Sequence, residues 1–123
     1  MADDTRTFDL IAHLQDQHAF AARTFGPGLR DEALAAHIRK ELVEVAEAAD
    51  HLAAAEEWVD VIILASEAAL RRLEAAGHGN HAMALAAILA RKMEANRLRR
   101  WPDWRKARPG QPIEHDRSGE SQP

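Results

Sequence analysis

Apolar residues at helical spacing limit what this chain can become more than any other feature. Leu34, Ile38, Leu42, Val45 and Ala49 follow one another at steps of four, four, three and four, which places them on one face of an α-helix over residues 31–49. Three more helices are expected, over 8–23, 53–76 and 80–99, with Thr7, Asp50 and Asn80 as caps. Phe25-Gly26-Pro27-Gly28, the joint Asp50-His51-Leu52, the glycines 77 and 79, and Trp101-Pro102 separate or close them. The third helix carries a stripe of Trp58, Val61, Ile62, Ala65, Ala69 and Leu73, and Val59, Ile63 and Leu64 make it apolar nearly all round. Such a helix needs neighbours on several sides, some of them from a second subunit.

Composition agrees with an all-α chain: alanine is abundant, tyrosine is absent and β-branched residues are few. With 123 residues, one domain is expected over 1–108, followed by a polar, mobile tail over 109–123 that is rich in glycine, proline and charge. The absence of cysteine excludes disulfides, zinc fingers, iron–sulfur sites and thiol catalysis. A net charge of −4 argues against coating nucleic acid by bulk charge. The N-terminal stretch lacks the basic and apolar regions of a secretion signal, and no apolar run approaches the roughly 20 residues of a membrane span. A cytoplasmic, soluble protein is the expectation.

The chemistry lies in two carboxylate doublets, Glu41-x-x-Glu44 and Glu57-x-x-Asp60. Three residues apart on a helix, two side chains share a face. The twelve residues between Glu44 and Glu57 suffice to end one helix, turn, and start an antiparallel partner, which sets the doublets opposite each other. Four acids at the edge of a core repel one another, so a cation belongs among them. Oxygen donors alone suit a hard ion such as magnesium, with manganese as a substitute, and magnesium at carboxylates points to phosphoryl chemistry. A di-iron bundle is excluded because Glu-x-x-His does not occur.

Lys92 and Asn96, one turn apart, can reach a phosphate and a sugar, although Lys92 also reads as a snorkelling surface residue. The segment 97–108 holds six basic residues and two tryptophans. It reads either as a nucleic-acid patch or as tryptophan packing with Arg99 or Arg100 turned toward a nucleotide. Of the seven histidines only His37 lies one turn from a proposed ligand, Glu41; the others are read as surface or loop residues.

These residues resemble the MazG-like all-α nucleoside triphosphate pyrophosphohydrolases, and within them a phage and prophage branch described as dATP/dGTP diphosphohydrolases. The resemblance runs from about residue 8 to 115. It is carried by 23–28, 37–42, 57–65, Lys92 with Asn96, 100–105, and weakly by 113–115. It implies a four-helix MazG-like bundle assembling as a homodimer or homotetramer, with magnesium on Glu41, Glu44, Glu57 and Asp60. It implies nucleotide contacts from Lys92 and Asn96, and hydrolysis of purine (deoxy)nucleoside triphosphates, dGTP or dATP, to the monophosphate and pyrophosphate. One departure is Ser66-Glu67-Ala68, where the branch often has Leu-Asp-Gly; Glu67 keeps the acid with one more carbon.

In the expected mechanism a metal-activated water attacks the α-phosphorus and Glu44 takes its proton, while Lys92 and Arg99 or Arg100 offset charge on the leaving pyrophosphate. Phe8, Phe20 and Trp101 are candidates to stack on the base, in a pocket expected between helices one and four. Two rival readings remain: a non-catalytic helical interaction module, and nucleic-acid binding through 97–108. Stable nucleic-acid binding and membrane contact are not expected.

Overall fold

Local capping chemistry decides where the helices begin. The computed structural model describes residues 7–117. Asp9, not Thr7, opens α1 (Leu10–Phe25), its carboxylate accepting from the Ala12 backbone N–H at 3.1 Å. α2 (Asp31–Glu47) has no side-chain cap, but Asp31 and Glu32 in its first turn complement the helix dipole. Asp50 caps α3 (His51–Ala75) through the Ala53 N–H at 2.8 Å. Asn80 caps α4 (His81–Leu98) through the Met83 N–H at 3.1 Å. A single 3-10 turn, Trp104–Lys106, follows. Among the described residues there is no strand, so the fold is all-α with four helices. No helix among them is long and apolar enough to cross a membrane.

The chain divides into two compact units, up to residue 87 and from 88 onward. In the first, α2 and α3 pack along their lengths as an antiparallel pair and α1 lies on α3. The three residues between α2 and α3 leave room only for a direct reversal. Leu14, Leu70 and Ala82 form a buried cluster, with Ile11 and Leu85 packed against it.

The buried faces differ from those the hydrophobic spacing predicts. On α2, Leu34 is buried but Leu42 is exposed, and Glu41 takes the inward position instead. On α3 the buried line is Leu64, Glu67, Leu70 and Arg71, whereas Trp58 and Ile62 face solvent. The physical reason is pairing: Glu67 and Arg71 satisfy each other, so the inward face tolerates two charges.

In the second unit the end of α4 is closed by Trp101, whose indole Nε1–H donates to the Asn96 carbonyl at 2.7 Å. The chain then returns. His115 meets the Trp101 ring edge-on, and the Asp116 N–H donates to the Arg100 carbonyl at 2.8 Å. The start of the expected tail is thus folded onto this segment. Residues 1–6 and 118–123, the latter the end of that tail, lie outside the described residues.

Candidate active site

The α2–α3 hairpin brings carboxylates from both doublets together. Oxygens of Glu41, Glu44 and Glu57 all lie within 4.8 Å of one another. Asp60, one turn beyond Glu57, stands close enough to Glu41 to repel it and lines the same cleft. Glu41 is 7% exposed, and its Oε2 is buried without a hydrogen-bond partner. Its other oxygen, Oε1, lies 3.2 Å from His37 Nε2.

This crowding holds protons. The Glu41 carboxyl is pushed above its ordinary value, first by the Glu44 carboxyl crowded against it, then by desolvation and by the charges of Glu44 and Asp60. Glu57 is pushed up to about 7, first by the Glu41 carboxyl facing it across the hairpin, then by desolvation and the charge of Glu44. Carboxylates that must share protons at neutral pH, one with an unpartnered buried oxygen, fit a hard dication: an ion would supply the missing positive charge and occupy that oxygen.

Beside the acids opens a cleft of about 270 Å³ between α1, α2 and α3. Glu41 and Asp60 lie on its polar side, Phe20 and Phe25 on its apolar side. The two rings meet edge-on, centroids 6.3 Å apart, and the Arg30 guanidinium lies 4.9 Å over Phe25. The turn behind Phe25 is held from inside α3. Arg71 Nη1 donates to the carbonyls of Gly26 at 2.8 Å and Gly28 at 2.7 Å, and Nη2 to that of Ala21 at 3.3 Å. Arg71 Nε donates to Glu67 Oε1 at 3.0 Å, and Arg30 reaches the same oxygen at 3.1 Å. Both glycines have positive φ, 87° and 90°, a conformation that side chains with a Cβ resist. The turn is therefore shaped by glycine and pinned by arginine.

A sequence model of the dATP/dGTP pyrophosphohydrolase family matches residues 14–120, most of the chain and all of the site. The chain belongs to this family. It is accordingly an enzyme of the nucleotide pyrophosphohydrolase class, as the resemblance implied, and the non-catalytic module falls away. Comparison with curated proteins and with solved structures gives no match.

The acid set of this pyrophosphohydrolase was visible beforehand, but its surroundings were not. The stacking pocket was expected between helices one and four; the cleft beside the acids is walled by α1, α2 and α3, and Phe20 is the expected ring that lines it. Phe8 lines a separate apolar groove with Val59 and Ile62. Lys92, Asn96, Arg99, Arg100 and Trp101 belong to the second unit. There Lys92 is exposed, and Asn96 accepts from Arg99 Nη1 through its side chain and from Trp101 through its backbone. Arg30, Phe25 and Arg71 were not singled out as parts of the candidate site, and Glu67 was noted only as an acid standing where the branch often has aspartate. The four-residue spacing of Glu67 and Arg71, beside a Gly-Pro-Gly turn that needs donors, was the available signal.

Proposed function

We propose that this pyrophosphohydrolase hydrolyses dATP or dGTP between the α- and β-phosphates, in a magnesium-dependent reaction that consumes one water and yields the monophosphate and pyrophosphate. The observation that carries the reading is the buried, unpartnered Glu41 oxygen among the proton-sharing carboxylates of Glu44 and Glu57. Glu41, Glu44, Glu57 and Asp60 would hold the ion, with manganese able to replace magnesium. When bound, it neutralises triphosphate oxygens and favours the deprotonated form of nearby water.

Glu44, less buried than Glu41, takes the proton of the attacking water. His37 holds Glu41 Oε1 and so fixes the carboxylate plane. Phe20 and Phe25 accept the purine face, which excludes water from that side of the cleft. To Lys92 and Asn96 the reading assigns nucleotide contacts, and to Arg99 or Arg100 the charge of the departing pyrophosphate, on their sequence alone. Trp101 is assigned to the substrate for the same reason.

The assembly is a homo-oligomer, a dimer or tetramer, of cytoplasmic location in a bacterial or phage-infected cell. Only six apolar residues are buried among those described, and Val59 and Ile62 are about half or more exposed on α3. A second copy covers them.

The decisive test is pyrophosphate release from each dNTP and NTP, with and without magnesium, by the parent chain and by Glu41→Gln and Asp60→Asn. The expected result is purine-selective, magnesium-dependent activity that falls at least about a hundredfold in either variant. Unchanged activity in both variants overturns the reading.

A further inference from the structure

A second cluster of ligating groups stands outside the acid site, at the opposite end of α3. There the turn between α3 and α4 folds back so that His81, at the start of α4, faces Glu74 on α3 and His18 on α1. The ligating atoms of these three residues lie within 4.8 Å of one another. His18 Nε2 is 3.1 Å from Glu74 Oε2, and His81 Nε2 is 4.0 Å from the same oxygen. The rings meet at 68° rather than stacking face to face.

The hydrogen bonds orient the donors. His81 Nδ1 lies 3.2 Å from the His78 carbonyl, which can only accept, so Nδ1 carries the hydrogen. In the neutral ring the lone pair is then on Nε2, facing a carboxylate oxygen that also has only lone pairs to offer. Two acceptors facing each other need a positive centre between them. A backbone carbonyl that fixes the outer nitrogen of an imidazole, leaving the inner one basic, is the usual support of a metal-bound histidine. The polar contact of the His18 ring runs through Nε2, and its Nδ1 is buried without a partner. The Glu74 carboxyl is held below its ordinary value, chiefly by its hydrogen bond with His18.

The geometry points to a transition-metal site of the zinc class on His18, Glu74 and His81, separate from the magnesium site and clamping α1, α3 and α4 together. Two imidazoles and one carboxylate suit zinc, with ligand bonds of about 2.0–2.2 Å and donors about 3.3 Å apart in a tetrahedron. The His18–Glu74 distance already meets this, and His81 must close by about 0.7 Å. A cleft lined by His18, Asn80 and His81 leaves room for water on the open position. Magnesium, which takes oxygen donors, does not compete here.

The test uses the full untagged chain carrying Glu41→Gln and Glu57→Gln, so that the acid cluster does not report. Zinc is titrated by calorimetry, and cobalt is added as a coloured substitute whose visible bands intensify at low coordination number. One ion per chain is expected, with intense cobalt bands and a raised Tm. His81→Ala, at a half-buried position, and Glu74→Gln, at an exposed one, are each expected to weaken zinc at least about tenfold and to erase the bands while circular dichroism stays unchanged. The His18 and His81 ring proton resonances should shift together during zinc addition. No zinc uptake by this chain, or uptake and bands unaltered by His81→Ala and Glu74→Gln, overturns the site.

Discussion

Replacing Arg71 with methionine keeps most of the side chain's length and apolar stem but removes its charge and donors. Arg71 is 2% exposed and Glu67 4%, so the change leaves a buried carboxylate with Arg30 as its remaining charged partner. Three carbonyls lose a donor. Two of them belong to Gly26 and Gly28, near the surface, where water can replace the guanidinium. The Ala21 carbonyl keeps its place in the α1 ladder. The dominant loss is therefore the desolvated pair, for which removal of one partner costs about 3–5 kcal/mol. That is a large share of the stability of a domain this size. It corresponds to a Tm lowered by about 10–20 °C. Urea unfolding followed by circular dichroism, at fixed protein concentration and with EDTA, measures it directly. Combining Arg71→Met with Glu67→Leu should recover part of the loss by removing the stranded charge. A loss under about 1 kcal/mol, or a double variant no more stable than the single one, would show that Glu67 is hydrated and that Arg71 does not organise the turn.

Other consequences are equally open to measurement. With Glu57 pushed up to about 7 in the folded chain from an ordinary 4.5, the protonated form favours folding. Its contribution is full below about 4.5 and is lost as pH rises through about 7. Metal-free stability of the parent relative to Glu57→Gln should fall across that window, and magnesium should stabilise the parent more at pH 8 than at pH 5.5; a pH-independent difference refutes the shared protons. Phe20→Ala should raise KM for purine triphosphates roughly 5- to 150-fold, the worth of about 1–3 kcal/mol of base stacking, and an unchanged KM removes Phe20 from the base site. Ile62→Asp, at a position 62% exposed in the single chain, should leave the helical spectrum intact while reducing the sedimenting species to a 13.7 kDa monomer. A parent chain that already sediments as a monomer contradicts the proposed assembly.

The parts of this fold governed by neighbours in sequence were readable in advance. Asp50 and Asn80 cap the helices they precede, and the glycine-rich breaks stop them, because capping and positive φ are local properties. The acid doublets were readable for the same reason: three-residue spacing on each helix and a short reversal leave little freedom. The burial pattern was less accessible, because a rule that sends charge outward selects Leu42 over Glu41 and Ile62 over Glu67. Those positions are decided by side-chain pairing rather than by hydropathy: Glu41 meets Glu57 across the hairpin, and Glu67 meets Arg71 on its own helix and Arg30 from before α2. His18 and His81 looked like isolated surface residues because their meeting depends on the reversal after α3, which no local spacing announces.

One rod, α3, presents Glu57 and Asp60 in its first half, Glu67 in its second, and Arg71 and Glu74 near its end. Each added or deleted residue turns everything beyond it by about 100° and slides it by about 1.5 Å. A single insertion after Asp60 would therefore swing the downstream carboxylates and the guanidinium away from their mates in one stroke. Insertions and deletions are therefore confined to the loops at either end of this stretch of chain.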